Sequence, residues 1–300
     1  MRNWFVFLFL AVLAWGPSFM WIKVALQEIG PFSLTMYRMA FGAAAAWALL
    51  FLLKLPRRYS RQTLLSSMFV GVVGLAIPMS LLSWGETRID SGLAGILNGT
   101  VPLWTFLFAH FVLHDEKITR IKAVGLAIGF IGLFTLVSRD LDWKGIGIAS
   151  IWGQAAVTSM AICYSIALVF TRRFLKGQHP VQTAAISILT SLGAMVIFTL
   201  LFESRLPLPH RSLTWLACGW MGVVGLGLAL WGWFHLINTW GPTRSSLVTY
   251  LVPVIAVTLG AVFLGEHITW HLIVGGLLVI GGIAVVGLRK NSGATAAAAK

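Results

Sequence analysis

Long apolar runs alternate with short polar connections along the whole 300-residue chain. A helix that crosses the ~30 Å hydrocarbon core of a bilayer needs about 20 mostly apolar residues. Ten runs approach or exceed that length: 3 to 22, 32 to 53, 63 to 83, 91 to 113, 123 to 138, 146 to 171, 181 to 202, 212 to 235, 245 to 264 and 271 to 288. The connections hold nearly all the ionisable residues and many helix breakers, as in Lys54 to Arg61 with Pro56, Arg172 to Pro180 with Gly177, and Leu206 to Arg211 with Pro207 and Pro209. Hydrocarbon offers no partner to a bare peptide group, so such runs must be helical. The pattern predicts an all-α integral membrane protein of ten transmembrane helices. The first run follows Met1 and Arg2 and shares features with a signal peptide, but it is long enough to span and is read as the first helix. No connection is long enough to join an extramembrane domain. The tail 291–300, with Ala296 to Ala299, is low in complexity and is expected to be disordered.

The runs also repeat. Gly71, Gly74 and Pro102 recur at Gly222, Gly225 and Pro253, and Glu116-Lys-Ile-Thr119 recurs as Glu266-His-Ile-Thr269. Gly125 and Gly132 are followed at the same spacing by Gly275 and Gly282, and Trp15 to Pro31 matches Tyr164 to Pro180 in length. An ordered set at nearly constant offset predicts two units, 1–142 and 143–290. Five helices is an odd number, so the second unit enters the membrane from the opposite side. Inverted repeats of this kind mark transporters that alternate access.

Charge refines the picture. The net charge is +13, yet only 10% of residues are charged, against about 25% in a soluble domain. A nucleic-acid binder gathers its Lys and Arg on one exposed face; here they punctuate apolar runs, so no nucleic acid is expected as a partner. With the N-terminus inside, 15 Lys and Arg fall on the inner side, Lys54, Arg58, Arg172 and Arg173 among them, and 6 on the outer, with Arg38 left within the second helix. The excess predicts cytoplasmic termini. Cys163 and Cys218 both lie in apolar runs and support neither a disulfide framework nor a metal cluster.

Several short motifs together make the chain resemble the drug/metabolite transporter superfamily, in its EamA-type ten-helix branch. They are Leu13-Ala-Trp-Gly16 with Lys23 after the first helix, Pro31 and Arg38 in the second, Pro102 and Pro253 in the fourth and ninth, and the turns Asp115-Glu-Lys-Ile-Thr119 and Gly265-Glu-His-Ile-Thr269. The resemblance runs from about Phe5 to Arg289. It implies a central cavity lined by helices 1 to 4 and 6 to 9, with helices 5 and 10 peripheral. It also implies export of amino acids or related metabolites across a bacterial inner membrane, in the manner of the YddG-type exporters of aromatic and neutral amino acids. Two departures stand out: Asp115 inserts one residue before Glu116, and Arg38 has Ser187 as its counterpart, so any role of Arg38 is not duplicated.

Candidate site residues follow from position and chemistry. Trp15 precedes Gly16 and Pro17, which interrupt the first helix and free carbonyls toward a cavity. With its counterpart Tyr164 it is placed to stack on an apolar or aromatic substrate, although ordinary packing explains both equally simply. Asn98 precedes Pro102, and Tyr250 precedes Pro253, each about one turn before a helix interruption. Met79, Ser80 and Ser83 offer an adaptable, partly polar wall opposite an aromatic eighth helix. Arg38 serves gating or attracts a carboxylate, or it snorkels to the interface and bonds loop carbonyls. Trp104, Trp220 and Trp231 are assigned to packing or lipid contact.

Absences narrow the chemistry. All nine Asp and Glu residues fall in loops or at helix ends, so no buried carboxylate relay of the kind found in pumps is expected. His110/His114 and His267/His271 have helical spacing but no intervening Glu of a metalloprotease motif, and no phosphate-binding loop is present. Neither metal nor cofactor is expected. The sequence reads as a non-enzymatic secondary transporter of small organic solutes, embedded in lipid as a monomer or homodimer. Multidrug efflux is the alternative within transport, and a lipid-modifying membrane enzyme the alternative outside it.

Overall fold

The computed structural model describes residues 2–56, 58–112, 118–138, 148–203, 207–240 and 248–287, with several side chains between Leu230 and Tyr250 excepted. The turn holding Asp115 and Glu116, the expected unit boundary at 142/143 and the tail 291–300 lie outside the described residues.

Every regular element described is helical. Seven runs are long and apolar enough to cross a membrane: α1 (Asn3–Ala25), α2 (Pro31–Leu52), α3 (Arg61–Glu86), α4 (Ser91–Val112), α5 (Arg120–Ser138), α6 (Ile148–Phe174) and α7 (Pro180–Phe202). Apolar helices continue as α8 (Ser212–Gly219, Trp220–Leu228 and Ala229–Trp240), α9 (Val248–Leu264) and α10 (Trp270–Gly287). The predicted segments therefore appear in order. α3 extends three residues beyond its expected end, to Glu86, and α6 three residues beyond its own, to Phe174.

The helices are not uniform. Phe9–Trp15 in α1, Val72–Ala76 in α3 and Trp220–Leu228 in α8 are wound as π-helix, a wide turn often found at functional sites. In α1 the cause is Pro17. It has no N–H to give to Leu13, so the Leu13 carbonyl accepts from Trp220 Nε1 at 2.8 Å instead, and the Ala14 carbonyl accepts from the Ser18 hydroxyl at 3.0 Å. These carbonyls are thus satisfied inside the protein, which corrects the expectation that they face the cavity. The same bond gives Trp220 a structural role. Pro102 has a stronger effect: α4 breaks between Ser91–Asn98 and Val101–Val112. Pro253 sits inside an unbroken α9.

Glycines set how closely helices approach. A Cβ on Gly125 would lie 2.7 Å from the Gly282 carbonyl, and one on Gly132 2.8 Å from the Gly275 carbonyl. α5 and α10 therefore meet backbone to backbone, antiparallel, as small residues allow in lipid. The remaining helices enclose the core around Leu10, Ile22, Leu97, Leu103, Met160 and Met221.

Candidate functional site: a cavity between the helices

A cavity of about 510 Å³ lies within the bundle, inside the range of about 300–1,000 Å³ usual for small-molecule sites. Helices α1 to α4, α6, α8 and α9 contribute to its lining. α1 contributes Trp15, Ser18 and Phe19, at i, i+3 and i+4; α3 contributes Met79 and Leu82; α6 contributes Tyr164 and Leu168. The broken α4 turns Asn98, Pro102, Thr105 and Phe106 toward it, and α8 supplies Gly225, Leu226 and Trp233. Arg38 reaches it from α2.

Of the residues proposed from sequence, Trp15, Arg38, Met79, Asn98, Pro102 and Tyr164 meet at this cavity. Ser80 and Ser83 do not line it, a correction with a simple cause. The Ser80 hydroxyl donates to the Ala76 carbonyl at 2.8 Å and to Met195 Sδ at 3.1 Å, while Ser83 shares a 3.1 Å bond with Thr35 on α2. Both are spent on helix packing. Pro17 shapes α1 and Pro253 sits within α9, and neither lines the cavity. The side chain of Tyr250 lies outside the described residues. Trp233, Phe106 and Ser18 were not foreseen. The signal for Ser18 was available, one turn beyond Trp15 on the same face. Nothing in the sequence distinguished Trp233 from its neighbours.

Trp15 holds its position by donating Nε1–H to the Gly225 carbonyl at 3.1 Å, and its ring packs against Trp233 with centroids 5.4 Å apart. A second cavity of about 440 Å³ shares Trp15, Gly225, Leu226 and Trp233 with the first and continues past Thr171 and Leu175 to Gln178 and Pro180. The tryptophan pair stands where the two meet. The space therefore extends toward the end of the bundle that carries loops 53–60 and 175–179.

At the other end, carboxylates tie loops to helix starts. Glu203, after α7, accepts from the Phe32 N–H (2.8 Å), the Ser33 N–H (3.2 Å) and the Ser33 hydroxyl, at the start of α2. Glu266, after α9, accepts from the Ser91 and Gly92 N–H groups at 2.7 and 2.9 Å, at the start of α4. Glu28, after α1, accepts from the His210 and Arg211 amides and the Thr214 hydroxyl, at the start of α8. Each satisfies amides that a helix start leaves unpaired and complements its dipole. Gly30 is the cap of α2 because a Cβ there would collide with the Glu203 carboxylate.

Glu86 is a buried carboxylate, although its place at a helix end does not mark it as one. It ends α3, as its position in the sequence implies, but it is 0% exposed, and neither carboxylate oxygen has a hydrogen-bond partner among the described residues. Next to it, α6 packs closely on the end of α3: a Cβ on Gly85 would stand 2.6 Å from Val157 Cγ2 and 2.9 Å from the Gly153 carbonyl. It does not line the central cavity.

Apolar helices packed around a cavity, with loops tied to helix starts at one end and the space extended toward the other, are the architecture of a membrane transport protein. The chain belongs to the EamA-like transporter family, whose model matches it twice, over residues 2–138 and 151–288. It is 26% identical to the uncharacterized transporter YoaV of Bacillus subtilis over 90% of this chain and 92% of the relative. It is 25% identical to an uncharacterized transporter of Archaeoglobus fulgidus over 97% and 100%. The uncharacterized inner membrane transporter YedA of Escherichia coli is 27% identical over 87% and 83%. A crystal structure with 22% identity superposes with a TM-score of 0.66 over 96% of this chain and 98% of its own, sharing the fold.

Proposed function

We propose that the protein is a secondary transporter exporting small organic solutes, amino acids and related metabolites among them, across a bacterial inner membrane by alternating access. The observation that carries the proposal is the cavity, in a bundle clamped at one end by Glu28, Glu203 and Glu266, and extended at the other toward Gln178 and Pro180. On this reading ten helices span the membrane as two five-helix units, 1–142 and 143–290, of opposite orientation. The glycine contacts support the inversion. Gly125 and Gly132 correspond to Gly275 and Gly282, and the contacts are crosswise, Gly125 with Gly282 and Gly132 with Gly275. A two-fold axis perpendicular to two antiparallel helices produces that pairing. The three clamps each join a loop of one unit to a helix start of the other.

The charge balance supports a cytoplasmic location for the extended end, where Lys54, Arg58, Arg61, Arg172, Arg173 and Lys176 gather. The cavity then faces the compartment from which an exporter loads. Single cysteines placed in 53–60 are expected to resist impermeant thiol reagents in intact cells. Rapid external labelling there would invert the assignment.

Aromatic walls from Trp15, Phe106, Tyr164 and Trp233 favour solutes with apolar or aromatic bodies, and hence the YddG-type reading among exporters. Trp15→Ala and Tyr164→Ala are each expected to lower transport about ten-fold with little loss of folded yield, an aromatic contact adding roughly 0.5–1.5 kcal/mol beyond its buried area. The assay is counterflow in proteoliposomes across an amino acid panel, and normal rates in both variants would remove these residues from the site. The cavity lining contains no acid among the described residues, so the cell's own solute gradient is proposed to drive export without a proton relay. A pH gradient imposed on vesicles with equal solute on both sides is expected to produce no accumulation; accumulation would point to Glu86.

A further inference from the structure

The cavity carries one charged side chain among the described residues that line it, Arg38. The residue is 4% exposed, and its Nε is buried with no hydrogen-bond partner among the described residues. The buried Glu86 carboxylate acts on Arg38 electrostatically but makes no hydrogen bond to it, so the guanidinium still lacks a bonded counter-charge, and attraction to one is strongest where water is excluded. Helix packing alone does not call for it: the Thr35–Ser83 bond and the glycine contacts join α2 to its neighbours without the guanidinium. The space beside it is also kept open. A Cβ on Gly225 would stand 3.3 Å from the Ala14 carbonyl, 3.7 Å from Ser18 Oγ and 4.0 Å from Arg38 Nη2. Around this cation lie Trp15, Phe19, Phe106, Tyr164 and Trp233, walls suited to an apolar body.

We propose that the cavity is an organic-anion site: Arg38 binds the carboxylate of a solute whose apolar or aromatic part packs between the Trp15–Trp233 pair and Phe106. A guanidinium pairs two of its N–H groups with a carboxylate, giving charge and geometry together. Amino acids qualify through that carboxylate. Organic cations do not, because they would meet Arg38 with no acid among the described lining residues to offset the repulsion. The inference rests on the reading of this cavity as the transport site, and binding and flux are therefore measured separately.

The test titrates the full-length protein in lipid nanodiscs with indole-3-acetate, indole-3-acetamide and tryptamine near neutral pH, an anion, a neutral amide and a cation of one ring. The acetate is expected to bind about ten-fold or more tighter than the amide, as a charge-assisted pair should, with tryptamine weakest. Arg38→Gln should bring acetate and amide to the same affinity, and Arg38→Lys should keep part of the preference. Equal or tighter binding of the amide or the cation, absence of binding by all three, or a folded R38Q protein that retains the preference would each overturn the proposal. If R38Q is not monodisperse, the wild-type series and R38K decide. Counterflow separates the two readings. Anion-selective binding without flux defeats transport and leaves the site, whereas equal flux of tryptamine and indole-3-acetate defeats the site and leaves transport.

Discussion

Gly282→Ala is expected to destabilise the protein by about 2 kcal/mol or more and to lower its yield sharply, the usual cost of forcing a methyl group into a full interior. The added Cβ would lie 2.6 Å from the Gly125 carbonyl and 2.7 Å from Gly129 Cα. Both are backbone atoms of α5, so no rotamer change relieves the clash and the two helices must separate along their length. Gly281 is the control one residue away. Nothing lies within 4 Å of a Cβ there, and alanine should be neutral or slightly stabilising because it restricts the unfolded chain. The measurement is the thermal midpoint and size-exclusion profile of both variants in the same detergent. Matching midpoints for G281A and G282A would mean that α5 and α10 do not meet as described.

Neutralising two clamps together, Glu203→Gln with Glu266→Gln, is expected to shift the population toward a state open at the clamped end by roughly thirty-fold. A charged hydrogen bond contributes about 1.5–3 kcal/mol net. Both carboxylates are partly exposed, so about 1 kcal/mol each is the appropriate discounted figure, and 1.4 kcal/mol corresponds to ten-fold. Glutamine keeps the size but loses the charge that complements the helix start. The readout uses Asn98→Cys in a background lacking Cys163 and Cys218, with an impermeant maleimide applied from the side of residues 26–30 and 207–211. An unchanged labelling rate would show that the clamps do not hold that end shut.

Glu28 adds a pH signature to the same experiment. Its bond from the Thr214 hydroxyl, together with the His210 and Arg211 amides and against desolvation, holds its carboxyl below the ordinary value of about 4.5. A group with a depressed pKa in the closed state stabilises that state fully above its ordinary value and releases it as pH falls through the lowered one. This clamp should therefore leave labelling flat between neutrality and about pH 4.5 and loosen only below.

Much of the architecture was legible before the structure because a bilayer imposes its own rule on sequence. Spanning segments must be long, apolar and helical, and charge must gather between them, so the helices and their order follow from hydropathy alone. Cavity-lining positions were legible where helix periodicity carries them. Trp15, Arg38, Met79, Asn98 and Tyr164 share a cavity because each sits on an inward face beside a break or a small residue. Ser80 and Ser83 failed on the same reasoning. Polarity on a mid-membrane helix signals a partner, and only the neighbouring Thr35 and Met195 reveal that the partner is another helix. The burial of Glu86 was not legible for a related reason, since a helix end is exposed only if nothing else covers it.

Hydropathy, breakers and the duplicated glycines and prolines determined, from the sequence by itself, an all-helical membrane protein with a repeated plan. Such patterns are local or periodic, and each residue's neighbours along the chain suffice to express them. Only the tertiary structure decided which end is clamped, that Glu28, Glu203 and Glu266 cap helices some 170 to 185 residues away in sequence, and that Trp233 joins Trp15 at the cavity. Those pairings arise from amides, carbonyls and rings with no nearer partner in the absence of water, and their identity depends on which helices pack side by side.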